Sequence, residues 1–434
     1  MHRSLILCGS LLVATTNLGL AAVIGTNPPS QPLTVERIAG LPAAEQTMWR
    51  EYLERSNRQR QADQAFLRAE MQQHGVREAL VPPAARTVPG LGLTRPAAWY
   101  GQEEAARLAE IVRSFQTPAG GWSKNLDLTK HVRRPGEHFA EGSLSHFLAP
   151  ADHDQPADKN WSYVGTFDNY ATTTQVRFLA KVAVAQGPER GTVNRAAVQR
   201  GLEYIFAAQN PNGGWPQVWP LQGGYHDAIT YNDGAMVHVL ELLRDVTDER
   251  SDFAFLAPEV RIQAARRLAL GIACILRTQI VVAGKRTVWC QQHDALTLQP
   301  TSARNYEMPS QCSAESAGLM LFLMRLPQPH PEMIAAVHAA AAWFEQTAIR
   351  GKAYRTVGGN GRQLVDDPRH GPLWPRYVEI GTDRPLFGDR DKTIHDEVGE
   401  ISAERRNGYQ WYVDSPAQAL AVYARWRQKF PAKE

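Results

Sequence analysis

Apolar residues recur at helical spacing along most of the 434-residue chain. A spacing of i, i+3, i+4 and i+7, or close to it, predicts amphipathic helices. Further apolar stripes predict helices over 259–279, 313–326, 331–348 and 415–429, and no series of alternating strands competes with them. The pattern therefore predicts an all-α fold. The clearest series are Leu108, Ile111, Val112 and Phe115; Val198, Leu202, Ile205 and Phe206; and Met236, Val239, Leu240 and Leu243.

A loop motif repeats between the predicted helices. The segments Gln116–Trp122 and Gln209–Trp215 both end in Gly-Gly-Trp with the same Gln-to-Trp spacing, and a weaker copy runs from Gln279 to Trp289. A repeat of this length indicates an array of helical hairpins, because one hairpin cannot bury its apolar face alone. The intervening segments are rich in Gly, Pro and aromatic residues, and loops this long in a compact domain are usually functional. These loops are at 117–166, 210–231, 281–311 and 351–413.

The N-terminal residues predict export. Met1-His2-Arg3 precedes an apolar run from Leu5 to Leu20, which is typical of a signal peptide cleaved near Ala21. The run is too short for a membrane anchor, so we expect a secreted or periplasmic protein without a membrane after cleavage. The predicted organisation is a signal peptide at 1–21, a leader with peripheral helices at 22–96, and a catalytic domain at 97–434.

Charge and cysteine content narrow the function further. The formal net charge is +3 with 21% charged residues, which gives no support for a nucleic-acid partner. Cys274, Cys290 and Cys312 remain after the signal peptide. This odd number permits one disulfide at most, and the absence of CxxC spacing argues against a thiolate zinc site.

Two predicted helix starts carry an acidic residue beside an asparagine. These are Asp168-Asn169 and Asn232-Asp233, each downstream of a Gly-Gly-Trp loop. Either pair alone is explained by helix N-capping. Two such pairs after equivalent loops favour a shared cation site, and oxygen ligands of this kind suit calcium better than zinc.

The segments 374–392 and 404–412 alternate arginines with acidic and aromatic residues. One interpretation is a salt-bridged surface. The other is a groove for an acidic polysaccharide, because guanidinium groups match carboxylates bidentately and aromatic rings offer stacking surfaces for sugars.

Several motifs together resemble polysaccharide lyase family 10, the pectate lyases. They occur in the family's order between about residues 97 and 413. The resemblance implies an (α/α)3 toroid, or partial barrel, whose irregular loops form the substrate groove. It also implies a calcium-dependent pectate lyase that cleaves polygalacturonate by β-elimination, acting as a monomer. The motifs are Gly-Gly-Trp-Ser-Lys at 120–124, Thr-x-Asp-Asn-x-Ala-Thr at 166–172, Tyr-Asn-Asp at 231–233, Arg-Tyr-x-Glu at 376–379, Gly-Asp-Arg-Asp at 388–391 and Glu-Arg-Arg-Asn-Gly-Tyr-x-Trp-Tyr at 404–412.

The resemblance implies roles for individual residues. It assigns the base to the arginine-rich stretch, where we predict Arg390, with Arg384 as the rival. Asp168 and Asp233 are the predicted calcium ligands. The predicted substrate-binding residues are Lys124, Arg376, Arg384 and Arg405 for the uronate carboxylates, Trp122 and Trp215 as aromatic platforms, and Tyr231 and Asn232. For Trp289, a platform and a core position are equally compatible with the sequence.

Two other functions fit the same residues. An inverting α/α-toroid glycoside hydrolase would use Asp168 and Asp233 as two separated carboxylates. A noncatalytic protein that binds acidic polysaccharides would keep the aromatic residues without needing the arginine cluster. Unsaturated products from polygalacturonate would separate a lyase from both.

Overall fold

The computed structural model describes residues 22–85, 91–142, 157–158, 162–249 and 251–432. The predicted signal peptide lies outside these residues. Helices form at each predicted position, with ends within a few residues of the apolar stripes. They are α1 Val35–Ala39, α2 Ala43–Gln73, α3 Glu103–Ser114, α4 Thr173–Arg190, α5 Thr192–Ala208, α6 Ala235–Thr247, α7 Pro258–Thr278, α8 Ser313–Met324, α9 Pro331–Thr347, α10 Ala403–Gly408 and α11 Ser415–Lys429.

The long helices form two layers. Helices α4, α6, α8 and α11 contact one another in sequence order as an inner layer, and α3, α5, α7 and α9 pack outside them. The inner helix α8 is apolar on nearly every side, since its buried residues include Ala317, Leu319, Met320, Phe322 and Leu323. A helix of this kind belongs in the middle of a core. The predicted toroid of paired helices is confirmed.

Each hairpin is closed by a tryptophan. The indole ring is fully buried, and its N–H donates a hydrogen bond to a carbonyl at the end of an outer helix. A fourth copy, at Trp374, is not evident in the sequence because 30 residues separate it from its acceptor Phe344, against 10 to 14 in the other copies. The donor and acceptor pairs are Trp122 and Val112 (2.7 Å), Trp215 and Ile205 (2.8 Å), Trp289 and Ile275 (2.7 Å), and Trp374 and Phe344 (2.8 Å).

The repeated glutamine connects neighbouring hairpins. The Gln116 side-chain amide donates to the Gly120 carbonyl in its own loop (2.8 Å) and to the Ala197 carbonyl of α5 (2.9 Å). Gln209 makes the equivalent pair of bonds within its loop and to α7. The constant Gln-to-Trp spacing therefore reflects a structural joint between repeats.

The first glycine of each Gly-Gly-Trp motif is required by the backbone. Gly120 has φ 103° and Gly213 has φ 95°, in the left-handed region that side chains rarely adopt. A Cβ atom at Gly213 would lie 2.2 Å from the Leu270 carbonyl oxygen. These loops therefore pack directly onto the next outer helix.

Short antiparallel strands organise the long loops. In the described residues, the largest sheet has the order β1-β14-β13-β12-β8 and covers a second core around Tyr306, Phe387 and Trp411. Most strands are two residues long, too short for an alternating pattern to reveal them. The strands are β1 Gly25–Thr26, β2 Gly165–Thr166, β3 Val218–Trp219, β4 Ile229–Thr230, β5 Val281–Val282, β6 Lys285–Arg286, β7 Gln292–His293, β8 Gln311–Cys312, β9 Lys352–Thr356, β10 Arg362–Asp366, β11 Trp374–Pro375, β12 Tyr377–Val378, β13 Pro385–Gly388, β14 Thr393–His395 and β15 Tyr412–Val413.

The N-terminal helices pack on the outside of the toroid. Helix α2 is a single helix whose Trp49 and Tyr52 belong to the main core. The Tyr52 hydroxyl donates to the Ala208 carbonyl at 3.0 Å. Across the described part of the chain, no helix has the length and apolar character needed to cross a membrane. The three cysteines are separate buried thiols, Cys274, Cys290 and Cys312.

Candidate active site

Two inner helices begin with the same kind of turn. Strand β2 leads into the turn Asp168–Tyr170 before α4, and β4 leads into Asn232–Gly234 before α6. The middle residue of each turn, Asn169 or Asp233, has φ 49°, a conformation that Asn and Asp tolerate better than most residues. The two turns contact each other, so acidic residues from two repeats meet at one end of the inner layer.

Asp168 is buried and ion-paired. Its carboxylate accepts a hydrogen bond from Lys124 Nζ of the first Gly-Gly-Trp loop and another from the Asn169 N–H at 2.9 Å. Burial acts to raise the pKa of Asp168, but the charges of Lys124 and Arg304 outweigh it and hold the pKa below its usual value. Asp168 is therefore an anion held for ionic contacts rather than a helix cap.

Asp233 is accessible from solvent on one side and surrounded by protein on the others. Burial, followed by the negative charges of Asp168 and Glu315, raises the pKa of Asp233 to about 6. The cations Arg376 and Arg304 act in the opposite direction without cancelling this effect. Asp233 thus takes up a proton, or another cation, more readily than an ordinary aspartate.

A third acidic residue comes from the first turn of α8. Glu315 is buried, forms an ion pair with Arg376, and accepts a hydrogen bond from the Cys312 thiol at 2.5 Å. The Arg376 guanidinium also lies 5.0 Å from the centre of the Tyr409 ring. The third repeat therefore contributes an acidic residue to the same cluster, together with a buried arginine.

Arg304 lies in a tight turn after strand β7 and reaches into this cluster. Its Nε donates to the buried Glu307 carboxylate at 2.9 Å, and its guanidinium lies 5.0 Å from the centre of the Tyr306 ring. Burial acts to lower the pKa of Arg304, but Glu307 raises it well above its usual value. The Arg304 side chain is nevertheless 43% exposed. A ligand can therefore contact Arg304 from the solvent side.

Two further arginines surround the Tyr306 ring. The guanidinium of Arg405 lies 4.5 Å and that of Arg390 lies 5.7 Å from the ring centre. Both pair with the carboxylate of Glu404, with a distance of 2.9 Å from Arg390 Nε. Cation–π contacts of this kind hold several positive charges close together on one surface.

An open cavity of about 560 Å³ continues this surface. It is lined by Tyr354, Arg362, Arg376, Asn407, Gly408, Tyr409, Gln410 and Tyr412.

Comparisons with known proteins agree on one family. The sequence profile of the pectic acid lyases matches residues 116–420. The chain belongs to the pectic acid lyases of polysaccharide lyase family 10.

Two solved structures are similar to this lyase. A family 10 polysaccharide lyase from Cellvibrio cellulosa has 30% sequence identity and a TM-score of 0.64, with 81% of this chain and 99% of that chain covered. An aspartate-to-alanine mutant of a family 10 polysaccharide lyase from the same organism, solved in complex with trigalacturonic acid, has 31% identity and a TM-score of 0.63 over 80% and 100% of the two chains. The comparison with curated proteins found no match.

The lyase fold brings several predicted site residues together. Lys124, Asp168, Asp233 and Arg376 meet at one end of the inner helices. Asn232 lies beside them and donates from Nδ2 to Asp233 Oδ2 at 3.1 Å. The clustering is a structural fact, whereas their roles as calcium ligands and substrate contacts stay predictions.

The arginine-rich loops divide between two locations. Arg390 and Arg405 join the arginine cluster through Tyr306 and Glu404, as described above. Arg384 instead pairs with Glu379 at 2.8 Å and with Asp396 at 3.5 Å. Of the two candidate bases, Arg390 shares the Tyr306 ring with Arg304, whereas Arg384 is paired elsewhere.

The predicted contacts of three aromatic residues with substrate are wrong. Trp122 and Trp215 are completely buried, because each closes a hairpin. Tyr231 is also buried, and its hydroxyl is hydrogen-bonded to Thr278 Oγ1 at 2.6 Å. Trp289, which the sequence left undecided, is a core residue as well.

Sequence reasoning missed an exposed aromatic ring next to the acidic pair. Tyr170 is 53% exposed and follows Asp168-Asn169 directly. Its ring stacks on His238, with 4.0 Å between ring centres and 28° between the planes. The sequence does contain a signal for Tyr170, because this residue lies in the repeated helix-start motif. Aromatic platforms were instead expected in the Gly-Gly-Trp loops.

The acidic pair offers an incomplete set of metal ligands. Within the residues that the structure describes, no three His, Cys, Asp or Glu side chains are grouped so as to hold a metal ion. Asp168 and Asp233 supply hard oxygen donors, and their mutual repulsion is the kind that a cation relieves. Calcium takes six to eight oxygen ligands, so this pair fits calcium only if substrate and water supply the rest.

Proposed function

We propose that the lyase is a calcium-dependent enzyme that cleaves polygalacturonate by β-elimination, with an arginine as the base, and releases unsaturated oligogalacturonides. The observation that carries this proposal is the pair Asp168 and Asp233 facing the guanidinium groups of Arg304 and Arg376. The similar family 10 structure solved with trigalacturonic acid supports the same substrate class.

The charges of the site favour a polyuronate over a neutral glycan. Lys124 and Arg376 are paired with carboxylates of the protein in the ligand-free state. A uronate carboxylate offers these cations an equivalent anionic partner, and Arg405 extends the positive surface along the groove. A neutral sugar has no carboxylate, so it cannot form an ion pair with Lys124, Arg376 or Arg405.

The packing of the two aspartate-bearing turns against each other argues against the hydrolase alternative. An inverting hydrolase needs its carboxylates roughly 6.5–9.5 Å apart to admit a water molecule. Here the turns that carry the two aspartates contact each other, and the negative charge of Asp168 helps to raise the pKa of Asp233. The pair is better suited to sharing one cation.

Calcium would be held by Asp168 and Asp233 together with oxygen atoms from substrate and solvent. When bound, calcium would offset the repulsion between protein and substrate carboxylates and withdraw electrons from the uronate carboxylate, so that the C5 hydrogen becomes more acidic. The protein residues then act on an already polarised substrate.

The geometry favours Arg304 over Arg390 as the base. Each arginine is paired with a glutamate, Arg304 with Glu307 and Arg390 with Glu404. Arg304 differs in that its charge acts on the pKa of both Asp168 and Asp233. The sequence prediction of Arg390 is the alternative, and the same experiment tests both residues.

The reaction at the base is a proton transfer coupled to bond cleavage. The neutral guanidine of Arg304 removes the C5 proton, the electrons of that bond form the C4–C5 double bond, and the C4–O4 bond breaks. The departing O4 carries the bonding pair and takes up a proton from solvent. Atoms and charge therefore balance without an oxidant or a reductant.

Arginine is a difficult base because its usual pKa lies roughly 5 units or more above neutral pH, so forming the neutral guanidine costs about 7 kcal/mol. Glu307 increases that cost because it raises the pKa of Arg304 further. Cations brought close to Arg304 would favour the neutral guanidine. Because the neutral fraction grows with pH until the bound-state pKa is reached, the rate should rise into the alkaline range.

The decisive assay follows the ultraviolet absorbance of unsaturated products from polygalacturonate, with calcium or with excess chelator. We expect absorbance only with calcium. Full activity after exhaustive chelation would refute the metal requirement, and reducing ends without absorbance would indicate a hydrolase.

The base is tested by substitution in the same assay. Arg304→Lys keeps the charge but removes the guanidinium fork, so kcat should fall by about three orders of magnitude or more while substrate still binds. Arg390→Lys is the matched control variant, and we expect its kcat to fall far less than that of Arg304→Lys. Normal turnover of Arg304→Ala combined with an inactive Arg390→Ala would reverse the assignment.

Export after cleavage near Ala21 and a monomeric state also remain inferences from the sequence. The N-terminal mass of protein recovered from the periplasm or the medium would test the former. Light scattering of the purified lyase would test the latter.

A further inference from the structure

The turn that carries Arg304 is held by a side chain from the N-terminal end of the chain. Asn27 donates from Nδ2 to the carbonyl oxygens of Arg304 at 3.0 Å, Asn305 at 2.9 Å and Glu307 at 3.2 Å. Asn27 is 1% exposed. One buried amide therefore gathers three backbone carbonyls of a single turn.

Asn27 is itself fixed by the sheet beside the turn. We call residues 22–34 the N-terminal strap. Its strand β1 pairs with β14, and the Asn27 N–H donates to the Lys392 carbonyl at 2.8 Å. The Ser302 hydroxyl, next to the turn, donates back to the Pro28 carbonyl. The strap thus connects the edge of the five-stranded sheet to the turn 303–307.

The chemistry of the contact requires hydrogen-bond donors. Three carbonyl oxygens directed at one point repel each other unless an N–H group lies between them. In the described part of the structure the amide oxygen of Asn27 has no hydrogen-bond partner, so the contact uses the NH2 end of the side chain. An aspartate has the same shape with the opposite polarity.

The strap and Glu307 restrain different parts of Arg304. Glu307 holds the guanidinium through Nε, and Asn27 holds the backbone from which the side chain departs. A reacting group must be positioned to within about 1 Å, because larger displacements cost about a hundredfold in rate. The backbone contact therefore bears on catalysis as well as on folding.

We propose that Asn27 is a positioning residue that orients Arg304 toward the Asp168 and Asp233 pair. This inference rests on the proposed function, since it takes Arg304 as the base. It assigns a role to the strap, which lies outside the part of the chain matched by the family profile, residues 116–420.

The test compares Asn27→Ala and Asn27→Asp with wild type in the full chain. In Asn27→Ala, kcat on polygalacturonate should fall about tenfold or more while KM changes less than about threefold, because the turn shifts without loss of the substrate-binding cations. Arg37→Ala is the matched control. It removes the 2.7 Å ion pair with Asp294 and the hydrogen bonds to the Gln31 and Pro32 carbonyls near the end of the strap, but leaves the contacts of Asn27 in place. Its kcat should therefore stay near wild type.

The pH dependence of Asn27→Asp distinguishes positioning from a purely structural role. The introduced carboxylate, when ionised, would repel the three carbonyls, whereas its protonated form regains one donor. The activity of Asn27→Asp relative to Asn27→Ala should therefore rise as pH falls. In an Arg304→Lys background, Asn27→Ala should cause a smaller proportional loss than in wild type, because the two residues act through one turn.

Several results would overturn the inference. They are an unchanged kcat in Asn27→Ala, a loss of activity that only follows the fraction of unfolded protein, a flat activity ratio across pH, or an equal loss in the Arg304→Lys background. Failure of the proposed function looks different. It would appear as wild-type protein without unsaturated product, or as Arg304→Ala with normal turnover, whatever Asn27 does.

Discussion

Calcium and protons should compete for Asp233. The pKa of this carboxyl is raised to about 6 by burial and by the negative charges of Asp168 and Glu315. A protonated carboxyl does not bind calcium, so metal binding must release that proton. Lowering the pH should therefore increase the calcium concentration needed for half-maximal activity. Asp168 does not titrate in the same range, because its pKa lies below the usual value.

The size of the effect follows from the pKa of Asp233. With a value of about 6, roughly ten-elevenths of Asp233 is ionised at pH 7 and about one-eleventh at pH 5, so the half-saturating calcium concentration should rise about tenfold. An ordinary aspartate, with a pKa of about 3.8 to 3.9, would produce a change of less than about 1.1-fold over the same interval.

The assay is a calcium titration of chelator-treated lyase at pH 5, 6 and 7 with polygalacturonate as substrate. The half-saturating concentration is compared rather than the rate, because the rate also depends on the base. Substrate uronates remain largely ionised, since ordinary carboxylic acids have a pKa of about 3.5 to 4.

Asp227→Asn provides the control for this titration. The pKa of Asp227 is also raised to about 6, by burial, but its carboxylate accepts from the Gln222 and Gly223 N–H groups away from the site. The Asp227→Asn variant should keep the tenfold shift. A half-saturating calcium concentration that is constant from pH 5 to 7 would refute the reasoning, as would loss of the shift in Asp227→Asn.

Two further predictions concern the aromatic residues. Trp122→Phe removes the indole hydrogen bond to the Val112 carbonyl and part of a fully buried ring, so the free energy of unfolding in urea should fall by about 1–3 kcal/mol, with KM unchanged for the folded protein. A higher KM with unchanged stability would return Trp122 to the substrate groove. Tyr170→Ala should raise KM about fivefold with little change in kcat, because the exposed ring is available to stack on a sugar. Unchanged kinetics would exclude this platform.

The helices and the repeat could be predicted from sequence because their signals are local. The apolar spacing and the Gln-to-Trp interval can each be seen within a short segment of sequence. The helices of the structure begin and end close to the positions that this spacing predicts. Whether a loop tryptophan faces the core or the solvent is not determined by the neighbouring residues in the sequence. Trp122 and Trp215 are buried because the next outer helix covers them, and the same Gly-Gly-Trp pattern is compatible with a sugar platform until that helix is in position.

Arg304 and Glu315 were missed for a related reason. Their importance comes from packing against residues 70 or more positions away, such as Asp233, and no motif around them indicates it. A weaker signal did exist for Glu315. Each of the inner helices α4, α6 and α8 has an acidic residue within five positions of its first residue. Extending the helix-start comparison to a third repeat would have found it.

The charge pairing of the site gives a physical reason to expect that a polyanionic substrate binds together with an additional cation. Lys124 is paired with Asp168, Arg376 with Glu315, and Arg304 with Glu307. A uronate that binds these cations must weaken existing ion pairs in a partly buried site, where an uncompensated carboxylate is costly. After burial, the negative charges of Asp168 and Glu315 help to raise the pKa of Asp233, so a further carboxylate beside it would be repelled. A divalent cation bound together with the substrate would supply positive charge there, so the proposed calcium dependence is argued from the distribution of charge as well as from the identity of the ligands.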